Sequence, residues 1–138
     1  MLDFNLKTGM KGVSQMVVSQ ENMAERFSRP MPPSFATPML ISLMDNAAIE
    51  AVKNNLSPGY ITVGTSITVK HLAPTPEGMA VTAQAELVNI FKNRLIFQVT
   101  AYDEMEKIGE GEVERFIIDL ENFSRKVLEK KKKEENPL

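Results

Sequence analysis

Residues 37–56, TPMLISLMDNAAIEAVKNNL, decide the fold. Thr37 can accept a hydrogen bond from an orphan helix N–H, and proline suits the first helical position, so Thr37–Pro38 reads as a helix start capped by Thr37. Leu40, Leu43, Met44, Ala47 and Ala51 then recur at helical spacing. Ile41, Ala48, Ile49 and Val52 occupy the opposite side. A helix apolar nearly all round is covered on most sides rather than laid on a surface. Its polar exceptions are Ser42, Asp45, Asn46 and Glu50, and Ser57-Pro58-Gly59 ends it with turn chemistry.

C-terminal to that turn the period changes from helical to two. Ile61, Val63, Thr65, Ile67, Val69 and His71 alternate with Thr62, Gly64, Ser66, Thr68 and Lys70, which predicts a strand with its apolar face ending in His71. Further strands are expected at Met79–Phe91, Arg94–Tyr102 and Ile108–Asp119, joined by short turns, followed by a helix over 121–133. The last strand carries Glu110, Glu112 and Glu114 on one side and Val113, Arg115 and Ile117 on the other. N-terminal to the helix, residues 13–19 predict one strand, and residues 20–36, with Pro30, Pro32 and Pro33, predict a loop with one short turn near 21–27. Consecutive strands with short connections favour an antiparallel sheet. The fold class is therefore α+β, a single domain over 1–138 with 130–138 a frayed, solvated tail.

Composition removes several functions. The net charge of −2 gives no electrostatic basis for a nucleic-acid partner. No cysteine is present, which excludes thiolate metal sites and cysteine nucleophiles, and a single histidine argues against a metal site. No stretch approaches the ~20 apolar residues of a membrane span. Residues 1–12 lack an apolar leader run, so a cytoplasmic location is expected.

Four residues carry candidate chemistry. Asp45 interrupts the apolar helix; it either belongs to a thin polar stripe facing water or a partner chain, or it lines a cleft. His71 is either a satisfied structural histidine or a proton shuttle suited to neutral pH. Thr37 either caps its helix or stands at a helix end where free N–H groups, at Met39, at Leu40 or on a facing strand near Gly64, can hold an oxyanion. Gly64, in mid-strand, marks a bulge or a close approach by a ligand.

These residues resemble the hotdog-fold acyl-CoA thioesterases, and in particular their fluoroacetyl-CoA-thioesterase-like branch. The similar segments are Phe35-Ala36-Thr37 with Met39, Leu43-Met44-Asp45, Gly64 through His71, Pro74-Thr75-Pro76, Val81-Thr82-Ala83 and Glu114-Arg115, spread over about residues 10–130. The resemblance implies a long central helix wrapped by an antiparallel sheet of about five strands. It also implies a homodimer, with the tetramer left open, paired through sheet edges with active sites near the interface. It places catalytic roles on Thr37, Asp45 and His71, and substrate binding on Gly64, Phe35 and Met39. No cofactor is implied, since the CoA moiety belongs to the acyl-CoA substrate. The branch's best-known member has glutamate where this chain has Asp45, one methylene shorter, and the Pro-rich loop does not match well, so fluoroacetyl specificity is not implied. Two rival readings on the same fold are a non-catalytic acyl-CoA binding or sensing module and a hotdog dehydratase or hydratase.

Overall fold

The computed structural model describes residues 4–135. Five strands form one antiparallel sheet: β1 (Lys11–Val17), β2 (Tyr60–His71), β3 (Ala80–Phe91), β4 (Arg94–Tyr102) and β5 (Lys107–Asp119). The order across the sheet is β1-β3-β4-β5-β2, so β1 and β2 are its edges. Helix α1 (Thr37–Val52) is covered by this sheet, and α2 (Leu120–Glu135) follows β5 directly. This is the helix-in-sheet arrangement that the hotdog resemblance implies.

The core follows from the two periodicities. Leu40, Leu43, Met44, Ala47, Ala48, Ala51 and Val52 of α1 are buried. They meet Val81, Ala83, Ala85 and Leu87 of β3 and Leu95, Phe97, Val99 and Ala101 of β4. Burial of each large aliphatic side chain contributes about 1.5–3 kcal/mol. Ser42, Asn46 and Glu50 make an exposed stripe along α1, and half-buried Asp45 lies at its edge. The helix is thus covered on three sides rather than all round.

Two glycines let the sheet close on the helix. A Cβ on Gly12 would stand 2.2 Å from the Ala47 carbonyl oxygen and 2.3 Å from the Ala51 nitrogen. A Cβ on Gly109 would stand 2.9 Å from a Leu40 methyl. Strand β1 begins at Lys11, two residues before the β-prone run at 13. Gly12 has poor strand propensity but faces Ala85 in the ladder, where only a glycine fits beneath α1.

Other boundaries differ in small ways. The loop at 20–36 contains two 3-10 turns, Gln20–Asn22 and Ala24–Arg26, rather than one. Buried Asn22 pins its start: the side chain accepts from the Ser19 amide at 2.7 Å and donates to the Val17 carbonyl at 3.2 Å. Helix α2 continues past Lys130 to Glu135; residues 136–138 of the expected tail lie outside the described residues. Its apolar positions Leu120, Phe123, Val127 and Leu128 are exposed. The single alternating face expected for β2 breaks between Gly64 and Ser66, where the register against β5 shifts by one residue. Thr62 and Gly64 face inward before this bulge, and Ile67, Val69 and His71 after it, so Ile61 and Val63 lie on the opposite face from Ile67.

Gly12→Ala should destabilise the fold by about 1–3 kcal/mol, the usual penalty of overpacking, because the two nearest atoms are helix backbone and cannot rotate away. Chemical denaturation of the variant against the parent checks this.

Candidate active site

Helix α1 and strand β2 run in opposite directions, so the start of one meets the end of the other. Thr37 Oγ1 lies 2.8 Å from His71 Nδ1. The hydroxyl therefore does not cap the helix. Ala36 is the N-cap, and its carbonyl accepts from the amides of Met39 and Leu40, each at 3.0 Å. Those two N–H groups, expected as free oxyanion donors, are engaged by the helix itself.

The pair opens into a cleft of about 240 Å³ lined by Ala24, Ser34, Phe35, Thr37, His71 and Leu72, among others. Phe35 forms part of this wall although it is only 1% exposed. Its amide donates to the Thr75 carbonyl at 2.9 Å, and the buried Thr75 hydroxyl donates to Asp103 at 2.9 Å. Met39 packs against the core instead of the cleft. His71 Nε2 is buried and has no hydrogen-bond partner among the described residues. Burial lowers the His71 pKa from its ordinary 6.5, with a smaller opposing influence from the backbone at Ala73. The ring is therefore neutral at pH 7 and able to take a proton.

Asp45 is elsewhere. It lies eight residues along α1 from Thr37, about 12 Å of helix rise, in a second cleft of about 420 Å³ lined by Ile41, Asp45, Gly64, Thr65, Ser66 and Ile67. Its carboxylate pairs with the guanidinium of Arg115 on β5. Gly64 is both a bulge residue and a close-approach residue: a Cβ there would lie 3.1 Å from Arg115 and 3.8 Å from each Asp45 oxygen. Within one chain the structure brings Thr37 to His71, and Gly64 to Asp45, but not Asp45 to His71. Arg115 was visible in the sequence as a charge on the Val113–Ile117 face of β5, and that misfit was the available signal. No cluster of three or more histidine, aspartate or glutamate residues suited to a metal occurs among the described residues.

A family model described as fluoroacetyl-CoA-specific thioesterase matches residues 18–121. The chain belongs to this family. As a member it is a thioester hydrolase. The fluoroacetyl-CoA thioesterase of Streptantibioticus cattleyicolor is 42% identical over 99 residues, covering 72% of this chain and 71% of that one. A solved structure of the fluoroacetyl-CoA thioesterase FlK superposes with a TM-score of 0.85 at 35% identity, over 91% of this chain and 98% of that one. A thioesterase superfamily member from Thermus thermophilus gives a TM-score of 0.89 at 27% identity, over 94% and 96% of the two chains. A hot-dog-like protein from Thermanaerovibrio acidaminovorans, 23% identical with a TM-score of 0.82, shares the fold.

His71 is the only histidine, so its ring signals titrate alone in an NMR experiment. The midpoint in the folded protein should lie below 6.5. The accompanying stability is full above pH 6.5 and is lost as pH falls from there through the lowered folded value, because the unfolded chain binds the proton first. A midpoint at or above 6.5 would overturn burial as the dominant influence.

Proposed function

We propose that this family member hydrolyses an acyl-CoA thioester to a free acid and CoA, using Thr37, Asp45 and His71. The observation carrying this reading is the 2.8 Å contact between a hydroxyl and a neutral, half-buried imidazole across a cleft. A hydroxyl within hydrogen-bond reach of a base is the arrangement that activates or orients an oxygen at a carbonyl. With Thr37 donating to Nδ1, the ring proton stands on Nε2. Thr37 then helps place the attacking group, and His71 carries to the leaving thiolate the proton that Asp45 takes from the water, so that the ring ends neutral as it began. Asp45 acts as the base for water. Its side chain is one methylene shorter than the glutamate of the branch's best-known member, so the substrate sits closer or a water intervenes. Backbone N–H groups near Gly64, where the bulge interrupts the ladder, serve the oxyanion, each such donor being worth about 3–4 kcal/mol.

The two clefts become one site in a homodimer. Antiparallel pairing of two β2 edges about a twofold axis near the middle of the strand sets the His71 end of one copy toward the Gly64 stretch of the partner subunit, and so toward its Asp45 cleft. The free edge of β2 supports this pairing, since an unpaired strand edge is a template for another strand. The cysteine-free composition fits a reducing cytoplasm.

Thiol release across short, aryl and long acyl-CoAs should find at least one substrate; binding without release in every case would leave an acyl-CoA binding module instead. Single-turnover hydrolysis in ¹⁸O-water should leave the Asp45 carboxylate unlabelled, and label there would make Asp45 the nucleophile. Inactive Asp45→Asn and His71→Ala chains, mixed at random, should recover about a quarter of the parent rate, the share of intact sites in isologous dimers. No recovery would return Asp45 and His71 to the same chain.

A further inference from the structure

Helix α1 begins at Thr37 and strand β2 ends at His71, so the 2.8 Å contact between their side chains joins two separate segments of chain. Just beyond that contact the same segments are joined again, by backbone: the Phe35 amide donates to the Thr75 carbonyl at 2.9 Å. Phe35 stands two residues before Thr37, and Thr75 four residues after His71. Thr75 is fully buried, and its hydroxyl donates to Asp103 Oδ2 at 2.9 Å. Asp103 lies in the turn between β4 and β5, where its Oδ1 accepts from the amides of Met105 at 2.8 Å and Glu106 at 2.9 Å. Desolvation opposes its charge, but the hydrogen bonds from Met105, Glu106 and Thr75 outweigh it and hold the carboxyl below its ordinary 3.8.

The tie is made from a stiff piece of chain. Thr75 stands between Pro74 and Pro76, and a proline restricts both its own backbone and that of the residue before it. The Leu72 amide donates to the Ile108 carbonyl at 2.7 Å, which fixes the other end of the segment. Residues 34–36 are also held from the far side, where the Ala24 amide donates to the Ser34 carbonyl at 2.7 Å and the Ala36 amide to the Asn22 carbonyl at 2.9 Å. Packing alone does not call for a hydroxyl at Thr75, since a valine of the same shape would fill the space with no polar group to satisfy. What the hydroxyl supplies is a fixed point. Leu72, Ala73 and Pro74 line the cleft beside His71, and the backbone at Ala73 acts on the ring itself. A shift of Thr75 is therefore passed to both members of the pair, through Phe35 to Thr37 and through Ala73 to His71.

We propose that Thr75, anchored by Asp103, is a positioning residue for the Thr37–His71 pair: its carbonyl and hydroxyl together clasp the segments that carry the two side chains and set their separation. This rests on the thioesterase reading. Neither Thr75 nor Asp103 lines the cleft; both act through the hydroxyl and the imidazole that do.

Thr75→Val removes the hydroxyl and keeps the shape and the carbonyl, whereas Thr75→Ser keeps the hydroxyl. Steady-state thiol release and the NMR titration of His71 are measured on both, with thermal unfolding to establish that each is folded. Thr75→Val should lower kcat by about 10–30-fold with KM within about twofold, a part of the loss that a misplacement near 1 Å brings. Its His71 midpoint should rise toward 6.5 as the loosened segment lets water reach the ring. Thr75→Ser should keep kcat within about threefold of the parent and leave the midpoint in place. A folded Thr75→Val chain with the parental kcat, a loss confined to KM, an equal loss in Thr75→Ser, or an unmoved His71 midpoint would overturn the proposal. If Thr75→Val does not fold, Asp103→Asn decides on the same two readouts, with an expected kcat loss of roughly 3–10-fold. Its remaining oxygen still serves the turn amides, and only the charged acceptor of the Thr75 hydroxyl is lost. A parent protein that releases thiol from no acyl-CoA sinks the functional reading instead, and the His71 midpoint, which needs no substrate, then decides the clasp.

Discussion

Where β1 crosses α1, the Gly12 backbone lies against Ala47 and Ala51 with no space for a methyl group. Gly109 repeats the approach on β5, beneath Leu40 and Met44. Together these contacts seat the helix inside the curl of the sheet and fix its distance from both β1 and β5. Because the Gly12 seat is backbone against backbone, the helix cannot slide past β1 without creating clashes. Its antiparallel course beside β2 then determines which residues can meet: the start of the helix with the end of the strand, and the middle with the middle. Thr37 faces His71 and Asp45 faces Gly64 for this reason alone.

Much of this could be read from the chain. The apolar spacing between Leu40 and Val52 locates the helix, and the alternation of β3 as far as Leu87 and of β4 locates the inner face of the sheet. Thr37, Gly64, Asp45 and His71 stood out because each broke a local rule. Three things were hidden. A bulge adds a residue without changing the residue types, so the alternation of β2 gave no warning that Ile61 and Ile67 lie on opposite faces. The Thr37 side chain had a short-range partner available in its own helix and a long-range one in His71; spacing along the chain describes only the first. Arg115 lay among inward-facing residues, yet its two anchors, Thr62 and Asp45, come from other elements.

The two polar centres on α1 differ in kind. Thr37 and His71 form an uncharged pair, because desolvation keeps the imidazole neutral. Asp45 and Arg115 form a charged pair, with the cation buried and the anion half open. An uncharged base tolerates an apolar wall such as Phe35 next to it, whereas a carboxylate in the same place would need a counter-charge. The helix thus holds the two pairs about two turns apart, and each has the surroundings that its charge state requires.

The loop between β1 and α1 is tied at both ends. Asn22 fastens the entry to β1, and the Phe35–Thr75–Asp103 chain fastens the exit. Between these ties Phe27, Met31 and the prolines near them are exposed, and Ala24 and Ser34 still reach the wall of the Thr37–His71 cleft. Substitutions in the middle of the loop can therefore reshape the mouth of the cleft while the hydroxyl–imidazole pair keeps its geometry. In evolutionary terms the chain separates a stretch that is free to diverge from the ties that hold it at both ends.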